Sequence, residues 1–122
     1  MTSQEIEGAL SHLLSEPGVE GYIVINYDGI PVRSCPENNI LAVQYAALIA
    51  DLVSKTKATL KQLDPADSEF TYLRMRTKNE KEVIVTNQII NSNEYILITL
   101  HSWKFSKGDE SKKENNEEDE DN

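Results

Sequence analysis

The chain holds a single cysteine, Cys35, which excludes an internal disulfide framework and fits a reducing compartment. No apolar run approaches the ~20 residues that a membrane-spanning helix needs. The first residues, Met-Thr-Ser-Gln-Glu, lack a basic start followed by an apolar core, so no signal peptide is expected. Cationic excess is missing too. Twelve Lys and Arg stand against 21 Asp and Glu, a net charge of -9, which argues against nucleic acid as the main partner. Neither G-x-x-x-x-G-K-[ST] nor G-x-G-x-x-G occurs, so no phosphate loop is visible. Only two histidines are present. His12 belongs to a helical stretch and His101 stands beside Trp103, and nothing in the sequence brings them together. Cys35 has no neighbouring base and reads as a structural thiol. Asp64 and Asp67 flank Pro65 and read as a solvated turn. No catalytic, cofactor or metal site is expected, and the chain reads as a non-enzyme.

What is present suits one domain and a tail. Residues 106–122 carry eight acids and three lysines, a net of -5, and the remaining -4 is spread over residues 1–105. The tail cannot bury enough apolar area to offset its ordering entropy and is expected to be disordered. The domain is expected to span 1–105.

Thr2 and Glu5 stand three apart before Ile6, Leu10, Leu13 and Leu14. This is a capping-box signature ahead of one narrow apolar stripe. The spacing predicts a helix to about Ser15, stopped by Pro17 and Gly18. Tyr22-Ile23-Val24-Ile25 then reads as a strand buried on both faces. Asn26-Tyr27-Asp28-Gly29 supplies a turn, and residues 30–34 form a returning strand. Pro31 cannot donate to a ladder, so that strand belongs at a sheet edge. Beyond a helix ending near Pro65, residues 70–77 read as a strand. In it Thr71, Leu73 and Met75 point one way and Phe70, Tyr72, Arg74 and Arg76 the other. Lys78 to Lys81 is a polar turn, Val83 to Thr86 a strand, 87–93 a loop, and Tyr95 to Leu100 a last strand, apolar on both faces.

Asn38 to Gln62 reads as one long helix with more apolar surface than one job requires. Leu41, Tyr45, Leu48 and Leu52 form one stripe; Ala42, Ala46, Ile49, Val53 and Leu60 form a second beside it. A chain of 122 residues has little material to bury such a helix twice, so one stripe is expected on its own sheet and the other on a partner subunit. The strands that are apolar on both faces belong in the sheet centre, with one helix on each face. The 70–77 strand, with its arginines, takes the free edge opposite the Pro31 strand, and a bare edge invites pairing with another chain.

The run Gly18 to Ser34 resembles the hallmark hairpin of the roadblock family of dynein light chains. Gln44-Tyr45-Ala46-Ala47-Leu48 resembles the start of that family's central helix. Asp64-Pro65, Phe70 to Lys78 and Glu94 to Ile98 resemble its later strands. The likeness runs from about residue 3 to 100 and follows the dynein light chains more closely than the bacterial or lysosomal-scaffold branches. It implies an α+β roadblock-like fold: a five-stranded antiparallel sheet with one helix on each face, in the order helix-strand-strand-helix-strand-strand-strand. It also implies a homodimer, or paralogue heterodimer, whose sheet runs on across both subunits. The implied role is that of a light chain binding the dynein intermediate chain, in the cytoplasm and cytoskeleton or the axoneme. A loop at 87–93 and the acidic tail depart from the family pattern. The dimer interface is expected at Tyr45, Leu48, Ile49, Leu52, Thr71, Leu73 and Met75. Partner contacts are expected at Leu41, Tyr45, Arg74, Arg76 and Lys78, the basic residues steering an acidic segment. The alternative is a roadblock-type scaffold that regulates a small GTPase.

Overall fold

The computed structural model describes residues 2–102. The expected acidic tail at 106–122, and Trp103, lie outside them. The elements are α1 (Ser3–Ser15), β1 (Val19–Asn26), β2 (Pro31–Cys35), α2 (Asn39–Leu63), β3 (Tyr72–Arg76), β4 (Lys81–Ile90) and β5 (Asn93–Ser102). The five strands form one antiparallel sheet in the order β2-β1-β5-β4-β3. The strands with two apolar faces, β1 and β5, sit side by side inside it. The proline-led strand and the arginine strand take the two edges, as expected.

Local chemistry explains the boundaries. Thr2 Oγ1 accepts the Glu5 N–H and starts α1; Asn38 Oδ1 accepts the Leu41 N–H and starts α2. Each bond satisfies a backbone donor that has no partner within the helix. In the β1–β2 turn, Asn26 Oδ1 accepts the N–H groups of Asp28 and Ile30. Gly29 supplies the positive φ of 82° that the turn requires. Among the described residues, no helix is long and apolar enough to cross a membrane.

The two helices cover opposite faces of the sheet. Below α1, Leu10 is buried with Tyr22 and Val24, flanked by Ile6, Leu13, Leu14, Tyr95 and Leu97. Below α2, Ala42, Ala46, Ile49 and Val53 pack on Ile23, Ile25, Val85, Ile96 and Ile98. The alternation of β1 and β5 thus feeds two separate cores, one per face.

Two expectations need correction. Residues 87–93 are not a loop. β4 continues to Ile90 and pairs Asn87 with Ile96, Gln88 with Tyr95, Ile89 with Glu94 and Ile90 with Asn93. Asn91 and Ser92 then turn the chain with φ values of 51° and 68°, the backbone of a two-residue hairpin turn. The polar Asn87-Gln88 pair hides the strand because this end of the sheet is only partly covered. Secondly, β3 begins at Tyr72, and Phe70 precedes it. Strand alternation therefore does not apply to Phe70, which is buried in the α2-side core instead of lying with the arginines.

Candidate functional site

The long helix α2 has three faces. Its buried face is narrow, Ala42, Ala46, Ile49 and Val53, and the two alanines let the first half of the helix approach the sheet closely. Gly29 lies directly beneath: a Cβ there would sit 3.4 Å from the Ala50 Cβ and 3.6 Å from the Ala46 carbonyl oxygen. One flank of the helix, with Val43, looks toward β2; Val43, Ala42, Pro31 and Val32 line a common hollow of ≈ 520 Å³. At 100° per residue, Tyr45, Leu48 and Leu52 occupy the opposite flank. That flank faces the β3 side of the sheet.

Of the residues expected at an interface, Leu48 is 70% exposed. Tyr45 and Leu52 are half-buried at the margin of the α2 core, where Leu73 and Met75 of β3 also lie half-buried. Leu41 is likewise half-buried, and Thr71 is exposed just before β3, its carbonyl accepting the Asn87 N–H. Ile49 differs: it is 5% exposed and belongs to the chain's own core. It stands on the Ala42–Ala46–Val53 stripe, which the sheet covers completely. Tyr45, Leu48, Leu52, Leu73 and Met75 therefore share one side of the molecule, next to a strand edge with no neighbour among the described residues.

On the other face of β3 the two arginines do not form the open basic patch that their spacing suggested. Both bind Glu82 of β4. Arg74 donates from Nε at 2.9 Å and from Nη2 at 3.1 Å, one bond to each carboxylate oxygen. Arg76 donates from Nε to the same carboxylate. Glu82 is 3% exposed, and the two half-exposed guanidinium side chains form its cover. Hydrogen bonding from Arg74 holds the Glu82 carboxyl below its ordinary range; covering it works the other way, and Arg76 adds to the lowering. The same contact raises Arg74. Only Lys78, exposed in the β3–β4 turn, keeps the expected aspect. Glu82 was not legible as a functional residue, because only the β3–β4 register sets it opposite Arg76.

A second groove, of ≈ 620 Å³, lies on the α1 face between Ile6, Leu10 and Leu13 of α1, Tyr95 and Leu97 of β5, and the hairpin tip. Ile89 at that tip is 67% exposed. Above β1, burial and secondly the neighbouring Cys35 raise the Tyr22 phenol. His12 is exposed on α1, 3.6 Å from Glu16, and His101 stands on β5 across from Glu82. Among the described residues, no group of three His, Cys, Asp or Glu side chains could hold a metal ion.

Residues 5–100 match the family model of the Roadblock/LC7 domain. Among solved structures, MglB of Myxococcus xanthus superposes with a TM-score of 0.70 at 17% identity, over 88% of this chain and 84% of that one. The gliding protein MglB of Thermus thermophilus gives 0.66 at 16%, over 81% and 72%. An MglB in a tetrameric arrangement gives 0.64 at 16%, over 80% and 71%. At such identities the likeness is one of fold. It nevertheless overturns the dynein light-chain expectation, and with it the intermediate-chain partner. These molecules, which share the fold over most of their length, are MglB proteins and not dynein light chains, and they belong to the bacterial branch that the sequence motifs follow less closely. The quoted motifs are those of the common hairpin and helix, which specify the fold and not the branch.

Proposed function

The chain belongs to the Roadblock/LC7 domain family, and on that footing we propose that it is a non-catalytic, self-associating scaffold that binds and regulates a small GTPase. The observation that carries the reading is one continuous surface: the Tyr45–Leu48–Leu52 flank of α2, Leu73 and Met75 beside it, and the unpartnered β3 edge. Two copies meeting there join their sheets through β3 and set their long helices side by side. The tetrameric arrangement of an MglB of the same fold is in keeping with such assembly. The exposed apolar helix surface left at Ile40 and Val43 is then presented twice to a folded partner, with Leu41 at its border with the dimer contact. The MglB relatives favour this reading over a motor subunit.

The interface is expected to bury at least ~1,000 Å². Leu48→Asp sets an unpaired charge into it, at a cost of several kcal/mol where the carboxylate is left without a partner. Sedimentation checks this: dimer for the wild type at micromolar concentration and monomer for Leu48→Asp, both with the same circular dichroism. Affinity capture with the wild-type chain, read by mass spectrometry with GTP or GDP present, tests the partner. A GTP-binding protein whose recovery depends on the nucleotide is the expected result. Its absence, together with capture of motor chains, refutes the proposal.

A further inference from the structure

An edge strand that carries charge ordinarily resists pairing with another chain, because the charge would have to be desolvated or set against its own kind. β3 carries two arginines in five residues and is also the edge through which self-association is read above. If β3 pairs antiparallel with its own copy, the two-fold symmetry makes each contact reciprocal. Paired about its middle residue, β3 sets Arg74 of one copy against Arg74 of the other, with each Arg76 diagonal to it. Like charges opposed across a ladder destabilise it.

Glu82 resolves this conflict. It lies on β4, on the inward side of β3, directly across from Arg76 and diagonal to Arg74. Both side chains reach toward it, so their guanidinium groups are held over β4 and not over the free edge. The carboxylate accepts bonds from both arginines on one pair of oxygens and cancels one of the two positive charges. Along the ladder its other neighbour is His101 of β5. A buried acid paired with two half-exposed arginines adds little to an apolar core, since such pairs seldom outweigh their desolvation. Its effect falls on where the arginines point.

We propose that Glu82 is the positioning residue that opens the β3 edge to a second copy of this chain, by drawing Arg74 and Arg76 off the edge and reducing the charge at the seam. The inference rests on the self-association reading above and names the residue that governs it.

The test is sedimentation equilibrium of the full chain at low and at ~1 M salt, where the Debye length falls to about 3 Å. Three proteins are compared: the wild type, Glu82→Gln, and the triple variant Arg74→Gln, Arg76→Gln, Glu82→Gln. At low salt Glu82→Gln is expected to weaken the dimer about tenfold or more, in keeping with like-charge juxtaposition at an interface. Its deficit shrinks at high salt. The triple variant, with no charge to withdraw, regains the wild-type dissociation constant. A merely structural role for Glu82 gives neither the salt recovery nor the triple rescue. A wild-type dimer with Glu82→Gln equally dimeric overturns the inference alone; a triple variant as weak as the single one does the same. A wild-type chain that stays monomeric overturns the self-association reading and this inference with it. Should Glu82→Gln fail to fold by circular dichroism, the triple variant decides: dimer supports the inference, monomer refutes it.

Discussion

Among single residues, Glu82 joins fold, charge and assembly. Its carboxyl is lowered chiefly by the Arg74 hydrogen bonds, so linkage requires the folded state to bind its proton less readily than the unfolded chain does. The stabilising contribution is therefore fully present above the unfolded carboxylate range, about 4.3 for glutamate. It is lost as pH falls through the lowered folded value. Urea unfolding from pH 7 to pH 2 is expected to show a steeper acid loss for the wild type than for Glu82→Gln. Equal slopes would mean that the clamp is broken in solution. Both arginines were assigned to one face of a strand from alternation alone, and that assignment holds. Their partner was not legible, because alternation says which face a residue takes and not what stands beside it in the next strand.

Among the elements, the β4–β5 hairpin separates what local chemistry can specify from what pairing decides. Asn91 and Ser92 adopt positive φ, where a side chain costs roughly 1–2 kcal/mol per residue relative to glycine's freedom. Asn tolerates that region better than Ser, and Asn-Gly is the preferred pair for such turns. Ser92→Gly is accordingly expected to raise the stability of the hairpin by about 1 kcal/mol, read as a higher urea midpoint with an unchanged slope. A lower midpoint would show that the Ser92 side chain has a use of its own. The helices behaved differently. Their caps and stripes lie within one element, so Thr2, Asn38 and the two stripes of α2 could be read directly. Ile49 marks the limit: which stripe the sheet takes depends on how closely Ala42 and Ala46 let the helix approach.

Taken whole, the chain carries at 106–122 an acidic stretch whose composition contrasts with that of the described domain. Residues 106–122 have no apolar period to add to either core. A chain ending at Lys107 is expected to keep the melting temperature and the sedimentation mass of the full protein. A marked fall in either would assign the extension a place on the body. The dimer proposed above depends on surface within the described domain alone, so the truncation also tests whether self-association needs anything else.

The element order, the two edge strands, the double-faced central strands and one helix on each face could all be read from the residues in order. These follow from periodicity, capping and proline chemistry, which act within a few residues along the chain. Three further features emerged only on folding: Glu82 clamps Arg74 and Arg76, Ile49 is spent inside, and β4 runs on to Ile90. Each of these depends on strand register or on the approach of helix to sheet. Such distances are set by residues far apart in the chain, and no local pattern encodes them.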